Sequence, residues 1–261
     1  MDEGRVKKAA RLLADARDNR TQLDALPDDL RPTSETDAYQ IQDALVEMID
    51  DTTFGWKVGA TNELAQQGFG LDNPFSGRLL ASRAEKSPAR LEAGDFSMFA
   101  IECEVAFAIS RDLPAGDGRY ELDEVAQAAG AVHAAIEIVD SRFKDFRAVG
   151  GLSVIADNGV DGGFVYGKAV KGWRTMELED HTVSLIVNGG RVSQGNGAAA
   201  LGSPVNSLHW LVNHVTKRGI DIRKGELITT GSWTGIYMAK PGDAVCADFG
   251  EIGRIELRIE A

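Results

Sequence analysis

The sequence predicts an α+β fold, mainly β, with a helical segment at its N-terminus. Three observations predict it. The first ~50 residues carry two amphipathic patterns at helical spacing. From about residue 100 onward the chain is a succession of short apolar runs of strand length, with only two helical patterns among them. No Gly-x-Gly-x-x-Gly, Walker loop, His-Glu-x-x-His or internal repeat occurs, which argues against a doubly wound sheet built around a nucleotide.

The elements follow in order. Val6, Ala9, Leu12, Leu13 and Ala16 make a helical stripe over 5–17. Pro27 and Pro32 break the next stretch. Ser34 with Asp37 resembles a capping box ahead of a second stripe, Ala38, Ile41, Leu45, Met48 and Ile49. Such helices cover a sheet or a subunit interface. Phe54 to Ala60 reads as a short strand bracketed by glycines. In it Lys57, between Trp56 and Val58, either snorkels to solvent or is held in a pocket; lysines are rarely buried. Residues 61–98, with Gly68, Gly70, Pro74, Gly77 and Pro88, read as irregular, ending in a turn at Leu91–Asp95.

Ile101 to Ile109 reads as a strand on which Glu102 and Glu104 share a face. After a loop at Pro114, Gly116 and Gly118, residues 122–131 read as a short helix. Ala134 to Arg142 reads as a second apolar strand containing one carboxylate, Glu137. Gly150-Gly151 is a breaker pair. Strands are expected at Phe164–Gly167 and Val183–Gly190, with a hairpin turn at Asn188-Gly189. Ser203-Pro204 opens a helix closed by Gly219, with Leu208, Leu211, Val212 and Val215 buried. His209 and His214 lie roughly 140° apart on it, so they do not share a metal and are read as structural or exposed. Short strands follow at 227–230, 244–247 and 254–259. Gly231-Ser232-Trp233-Thr234-Gly235 is not a nucleophile elbow, because no helix follows it.

The 261 residues suffice for one large domain or a domain with an appendage, and 43% hydrophobic with 26% charged residues is ordinary for a soluble globular protein. A net charge of −12 argues against nucleic acid or an anionic membrane surface as the main partner. No apolar run approaches the ~20 residues that span a bilayer. The N-terminus, charged from Asp2 onward, lacks a signal-peptide core, and Cys103 and Cys246 form neither a disulfide framework nor a metal pair by spacing. A cytoplasmic, reduced protein is expected.

Glu102, Glu104 and Glu137 on buried-looking strands suggest an oxygen-rich site for a hard divalent cation, Mg²⁺ or Mn²⁺. On the residues alone, carboxylates facing solvent or paired with arginines are equally in play.

The chain resembles the 2-oxopent-4-enoate hydratase and 4-oxalocrotonate decarboxylase group of the fumarylacetoacetate hydrolase superfamily. The matching pieces, in the group's order, are Gly55-Trp56-Lys57-Val58-Gly59, Ile101-Glu102-Cys103-Glu104-Val105-Ala106-Phe107, Ile136-Glu137-Ile138-Val139-Asp140-Ser141-Arg142 and Ala156-Asp157-Asn158. Gly202-Ser203-Pro204, His209-Trp210-Leu211, Thr230-Gly231-Ser232 and Pro241-Gly242-Asp243 complete the set. The resemblance implies a mixed β-roll as catalytic domain over 53–261 behind a helical segment over 1–52. It implies Mg²⁺ or Mn²⁺ held by Glu102, Glu104 and Glu137, with Lys57 working beside the metal as a proton relay of lowered pKa and Ser232 helping to bind a substrate carboxylate. The substrate implied is a 2-oxo acid or a 2-hydroxy-2,4-dienoate, and the reaction is hydration, with decarboxylation or C–C hydrolysis as the alternative. The N-terminal stripes and the resemblance together suggest a homo-oligomer. A non-catalytic partner subunit is a further alternative, against which the intact Lys57 and three glutamates speak. Two departures stand out. Cys103 replaces the usual proline between the paired glutamates. Pro74-Phe75-Ser76-Gly77 replaces Pro-Asp-Phe/Tyr-Gly, so the aspartate credited with acid/base work is missing, and Asp72 is near it in sequence but not aligned with it.

Overall fold

Two neighbouring strands, β5 (Ala100–Ile109) and β6 (Ala129–Val139), form the antiparallel spine of the molecule. The computed structural model describes residues 1–116 and 118–261. In chain order the other elements are α1 (Glu3–Asp18), α2 (Glu35–Ile49), β1 (Thr53–Gly59), α3 (Glu63–Phe69), β2 (Phe75–Leu80), β3 (Ala84–Lys86) and β4 (Ala89–Glu92). Between and after the spine strands come α4 (Leu122–Ala128), α5 (Gly151–Ala156), β7 (Asp161–Tyr166), β8 (Thr182–Val187), β9 (Gly190–Asn196) and α6 (Pro204–Lys217). The chain closes with β10 (Leu227–Thr229), β11 (Tyr237–Met238), β12 (Ala244–Asp248) and β13 (Arg254–Glu260).

The strands make two mixed sheets. The larger runs β2-β1-β10-β5-β6-β7-β3, with β11 also on β5; the smaller runs β4-β13-β12-β8-β9. Both are mixed because β1 with β10, β3 with β7 and β4 with β13 pair parallel while the rest pair antiparallel. Alternation on β5 decides how they pack. Ile101, Cys103, Val105 and Phe107 point into a core shared with Val183, Leu185, Val245, Ala247, Ile255 and Leu257 of the smaller sheet. Leu208, Leu211, Val212 and Val215 of α6 enter the same core. Glu102 and Glu104 therefore sit on the opposite face of β5, with Ala106 beyond them in a separate apolar cluster.

The N-terminal helices are capped by Asp2 and Ser34, whose side chains accept the N–H groups of Arg5 and Asp37 at 3.0 and 3.1 Å. Val6, Ala9 and Leu13 of α1 pack on Ile41 and Leu45 of α2, and the same cluster includes Phe143 and Ala156. The helical segment is thus anchored to the β body by its own apolar stripes. At β8–β9 the hairpin turns at Asn188 and Gly189, both left-handed, as a two-residue turn requires.

Several expectations need correction. Residues 61–98 are not irregular; they hold α3, β2, β3 and β4. Their glycines and prolines sit at the ends of short elements: Gly70 is the left-handed cap of α3, and Pro88 lies between β3 and β4. Among the described residues three α-helices, not two, follow residue 100, because Gly150-Gly151 opens α5 instead of breaking the chain. The second glutamate strand starts earlier and ends earlier than expected, since α4 stops at Ala128 and β6 runs directly on from it to Val139.

Candidate metal centre and its cavity

Register brings the carboxylates together. Glu102 of β5 lies directly across from Glu137 of β6, and Glu104 is one step further along the same face of β5. One oxygen from each of the three lies within 4.8 Å of the other two. Glu104 and Glu137 are buried, at 1% and 0% exposure. Like charges directly opposite on a strand pair repel, and among the described residues no arginine forms an ion pair with them. Glu104 and Glu137 thus face neither solvent nor an arginine, while half-buried Glu102 faces the cavity that Arg147 also lines.

Lys57 comes from β1, two strands away. β10 lies between: Trp56 of β1 pairs with Ile228, which pairs with Phe107 of β5. The close approach of β1 to β10 needs Gly55, because a Cβ there would meet the Leu227 carbonyl oxygen at 1.9 Å. Lys57 is 2% exposed; its ammonium ion-pairs with Glu137 and donates to the Gly159 carbonyl at 2.7 Å. The pocket alternative therefore holds for this lysine.

The Gly159 carbonyl sits in an unusual turn. Asn158, Gly159 and Val160 all have positive φ, at 51°, 63° and 57°. Left-handed geometry at a β-branched residue costs of order 1–3 kcal/mol and persists only where its surroundings enforce it. The enforcement is visible. Buried Arg142 donates to the Asp157 carboxylate at 2.5 Å and to the Asp157 and Asp161 carbonyls at 3.0 Å each. The Asn158 carboxamide accepts the Arg78 N–H at 2.7 Å and donates to the Arg78 carbonyl at 2.8 Å, tying the turn to β2.

Burial raises all three glutamate carboxyls. Glu104 is pushed up to about 7 by desolvation and then by the charge of Glu102, with Lys57 pulling it back. Glu137 is raised well above the ordinary carboxyl value by burial, against the pull of Lys57. Glu102 is raised by burial and drawn down by Lys57 and by Ser232 beside it. The lowered value expected for Lys57 belongs to the cation-loaded site; in the ion-free protein the balance runs the other way. Burial disfavours its ammonium, but attraction to Glu137 and then to Glu102 and Glu104 outweighs burial and raises its pKa. The expected lowering presumed a dominant neighbouring cation, whereas the protein groups around Lys57 are anionic.

Glu102 and Lys57 reach a cavity of about 530 Å³, also lined by Ser232 and Arg147 and walled by Phe69, Phe75, Phe146 and Ile236, while Glu104 and Glu137 lie buried beside them. Ser232 follows the left-handed Gly231, whose N–H donates to Glu104 at 2.8 Å. The Ser232 hydroxyl is buried without a hydrogen-bond partner of good geometry. Phe75, in the place of the missing aspartate, is buried and lines the cavity; Asp72 is exposed and does not. His209 bonds to the Tyr120 carbonyl and His214 stacks on Trp210, both away from this cavity. Cys103, with its thiol pushed up to about 12 by burial, is an inert core residue. Sequence reasoning missed two parts of the site, Arg147 and the Gly159 carbonyl. Only the Asn158-Gly159 pair, a left-handed turn signal, pointed to the second.

The donor set fits a hard cation. Among the described residues, Glu104 Oε1 and Glu137 Oε2 are buried with no partner and Glu137 Oε1 has only the Lys57 ammonium, a costly state for carboxylates left without a cation. Fully ionised, three carboxylates and one ammonium are two positive charges short of neutrality, which is the charge of one divalent ion.

A family model for the fumarylacetoacetate hydrolase C-terminal domain matches residues 75–260. The chain belongs to the fumarylacetoacetate hydrolase family. Among curated relatives, a 2-keto-4-pentenoate hydratase of Paraburkholderia xenovorans is 29% identical over 258 residues, covering 98% of this chain and 95% of that protein. A 4-oxalocrotonate decarboxylase of Pseudomonas putida is 28% identical over 225 residues, 85% of this chain and 84% of that one. Among solved structures, the 4-oxalocrotonate decarboxylase from Pseudomonas putida G7, complexed with magnesium and adipate, superposes with a TM-score of 0.92 at 25% identity, covering 99% of this chain and 98% of that chain. The two sheets and the N-terminal helices are thus the architecture of a fumarylacetoacetate hydrolase family enzyme.

Proposed function

We propose that this protein is a divalent-metal-dependent hydratase adding water to a 2-hydroxy-2,4-dienoate, or its 2-oxo-4-enoate tautomer, in the breakdown of aromatic compounds. The observation that carries the reading is the buried triad Glu102, Glu104 and Glu137 with its unpartnered oxygens, beside a buried lysine at the floor of an apolar-walled cavity. Relatives named as hydratases over nearly the whole chain give the reaction its class. Glu102, Glu104 and Glu137 hold Mg²⁺ or Mn²⁺ in this reading. Bound there, the cation supplies a positive centre beside the 2-oxo group and offsets the charge that builds up on its oxygen.

The chain's own groups do the rest. Ser232 donates its free hydroxyl to the substrate carboxylate. Lys57 is the proton carrier: it passes the 2-hydroxyl proton to the terminal carbon as the 2-hydroxy group becomes a keto group, then passes the proton of the adding water to C3 while the water's hydroxide bonds to C4, and so ends as it began. Its partners hold the amine still during both transfers. The phenylalanine walls exclude bulk water, so that proton traffic runs through the lysine.

A second reading, 2-oxo acid decarboxylase, is favoured by one observation. Phe75 stands where an acid/base aspartate would act, and loss of CO₂ needs fewer proton transfers than hydration does. A panel of 2-hydroxydienoates and 2-oxo acids with Mg²⁺, followed by loss of dienoate absorbance and by CO₂ release, separates the two. Tight cation binding without turnover of any panel member overturns both and supports a non-catalytic partner. The remaining parts of the proposal are a homo-oligomer, held in part by the N-terminal helices, and a cytoplasmic location. No helix among the described residues is long and apolar enough to cross a membrane.

A further inference from the structure

We infer that Asn158 is a positioning residue for Lys57: its carboxamide clamps strand β2 to a left-handed turn whose Gly159 carbonyl holds the lysine amine. The inference rests on the proposed role of Lys57 as proton carrier.

A lysine side chain has four rotatable bonds and does not hold its nitrogen in place unaided. Here the nitrogen has two fixed partners on separate supports, Glu137 on β6 and the Gly159 carbonyl. An ammonium has three N–H donors, so one remains for the cavity that Lys57 lines. The direction of that last donor, or of the lone pair left when it departs, is set by where the Gly159 carbonyl points.

That carbonyl points inward because the chain runs left-handed through three consecutive residues. Arg142 fixes the flanks of the turn at Asp157 and Asp161, but neither contact reaches Asn158 or Gly159. Asn158 supplies the missing restraint. Its carboxamide takes both backbone groups of Arg78, N–H and carbonyl, and so imitates one more strand residue alongside β2. Its own carbonyl then lies against Gly77, where a Cβ would be 2.5 Å from that oxygen and 3.1 Å from Lys57 Cγ. Turn, strand edge and lysine stem are in mutual contact at this point. Glycine at 77 is what allows it. Arg78, like Ser76, turns its N–H and carbonyl to the free edge of β2; those of Ser76 go to Tyr39 and Gln42 of α2, and those of Arg78 go to Asn158. Closing that edge holds the Gly159 turn against the strand that packs on the Lys57 stem.

The test is a double-mutant cycle with Lys57. Asn158→Gly keeps a residue at ease with positive φ and removes only the carboxamide. On the best substrate found, with saturating Mg²⁺, kcat is expected to fall by a factor on the order of 10 to 100, the cost of about an ångström of misplacement at a reacting group. KM and Mg²⁺ affinity, measured by calorimetry, should change less than threefold. In a Lys57→Met background the same substitution should have no further effect on kcat, because the group it positions is gone. A purely structural asparagine would lower kcat by the same factor in both backgrounds, and that result overturns the inference. So does an unchanged kcat in Asn158→Gly. If Lys57→Met itself retains near-full kcat, the role of Lys57 falls instead, which distinguishes the two failures. Should the glycine variant not fold, Asn158→Asp keeps the left-handed preference and the acceptor for the Arg78 N–H, losing only the donor to the Arg78 carbonyl. It is expected to lose a smaller factor in kcat, again absent beside Lys57→Met; equal losses in the two backgrounds overturn the inference as before.

Discussion

Replacing Lys57 by methionine removes one charge and keeps the shape of the stem, which makes it the sharpest probe of this site. The lysine is buried and paired with Glu137, so its loss leaves a buried carboxylate without its counter-charge. Breaking such a pair costs about 3–5 kcal/mol of stability, partly recovered here because Glu137, already raised by burial, takes up a proton. The same loss favours a cation: a repelling charge leaves the neighbourhood of three carboxylates. Lys57→Met is therefore expected to melt lower than wild type without metal and to close most of that gap when Mg²⁺ is added. Its Mg²⁺ affinity should be equal to or higher than wild type. A general acid/base contributes 10²–10⁴ in rate, equivalent to about 3–5.5 kcal/mol of barrier, and kcat should fall by that factor with KM little changed. Scanning calorimetry with and without Mg²⁺, together with steady-state loss of dienoate absorbance, reads all three quantities. Near-full kcat in this variant refutes the assignment of Lys57, and a weaker Mg²⁺ affinity refutes the placing of cation and lysine side by side.

Glu104→Gln should weaken Mg²⁺ binding and activity together; unchanged Mg²⁺ dependence speaks against Glu104 as a ligand. Cation binding should release protons, because Glu104, near 7 in the ion-free protein, is mostly protonated at pH 6 and mostly ionised at pH 8. Affinity is expected to rise about tenfold over that interval, and calorimetry in buffers of different ionisation enthalpy that detects no proton release refutes it. Carboxyls raised in the folded state stabilise it only below the pKa of the unfolded chain, so the ion-free protein should lose stability as pH rises from about 5 through 7. A melting temperature that climbs over that range contradicts the burial of the triad. Light scattering at micromolar concentration should give a mass above that of one chain, and the monomer mass refutes the oligomer.

The glutamate strands were legible because period-two alternation is a property of the strand itself: once 101–109 is a strand, Glu102 and Glu104 must share a face. The bringing together of Glu137 with them depends on β5–β6 register, which the sequence does not print but the family motifs imply. Lys57 was not decidable from spacing. Its burial comes from Glu137 and the Gly159 turn, and β1 is brought to them through β10, a three-residue strand from the far end of the chain. The stretch 61–98 was misread because its strands are short or lie at sheet edges, where Gly77 and Pro88 are tolerated and local composition looks like loop. The upward Lys57 shift belongs to the ion-free protein and has no signal in the local sequence. A lysine's neighbours in sequence, Trp56 and Val58, point to a dry surround, while the charges that dominate come from β5 and β6.

The three residues of β10 act as the ruler of the site. Gly55 and Trp56 of β1 are measured off against Leu227 and Ile228, and those in turn against Ala108 and Phe107 of β5. One residue of slippage on either side of β10 would turn Lys57 to the opposite face of the sheet from the glutamates, and two residues would carry it about 6.6 Å along the sheet. A lineage altering its chemistry could therefore retune the gap between lysine and carboxylates without touching any of the four, by lengthening or bulging the chain on either side of β10. Most of the chain, including both glutamate strands, must also be synthesised before the lysine finds its place, since residues 227–229 close the distance last.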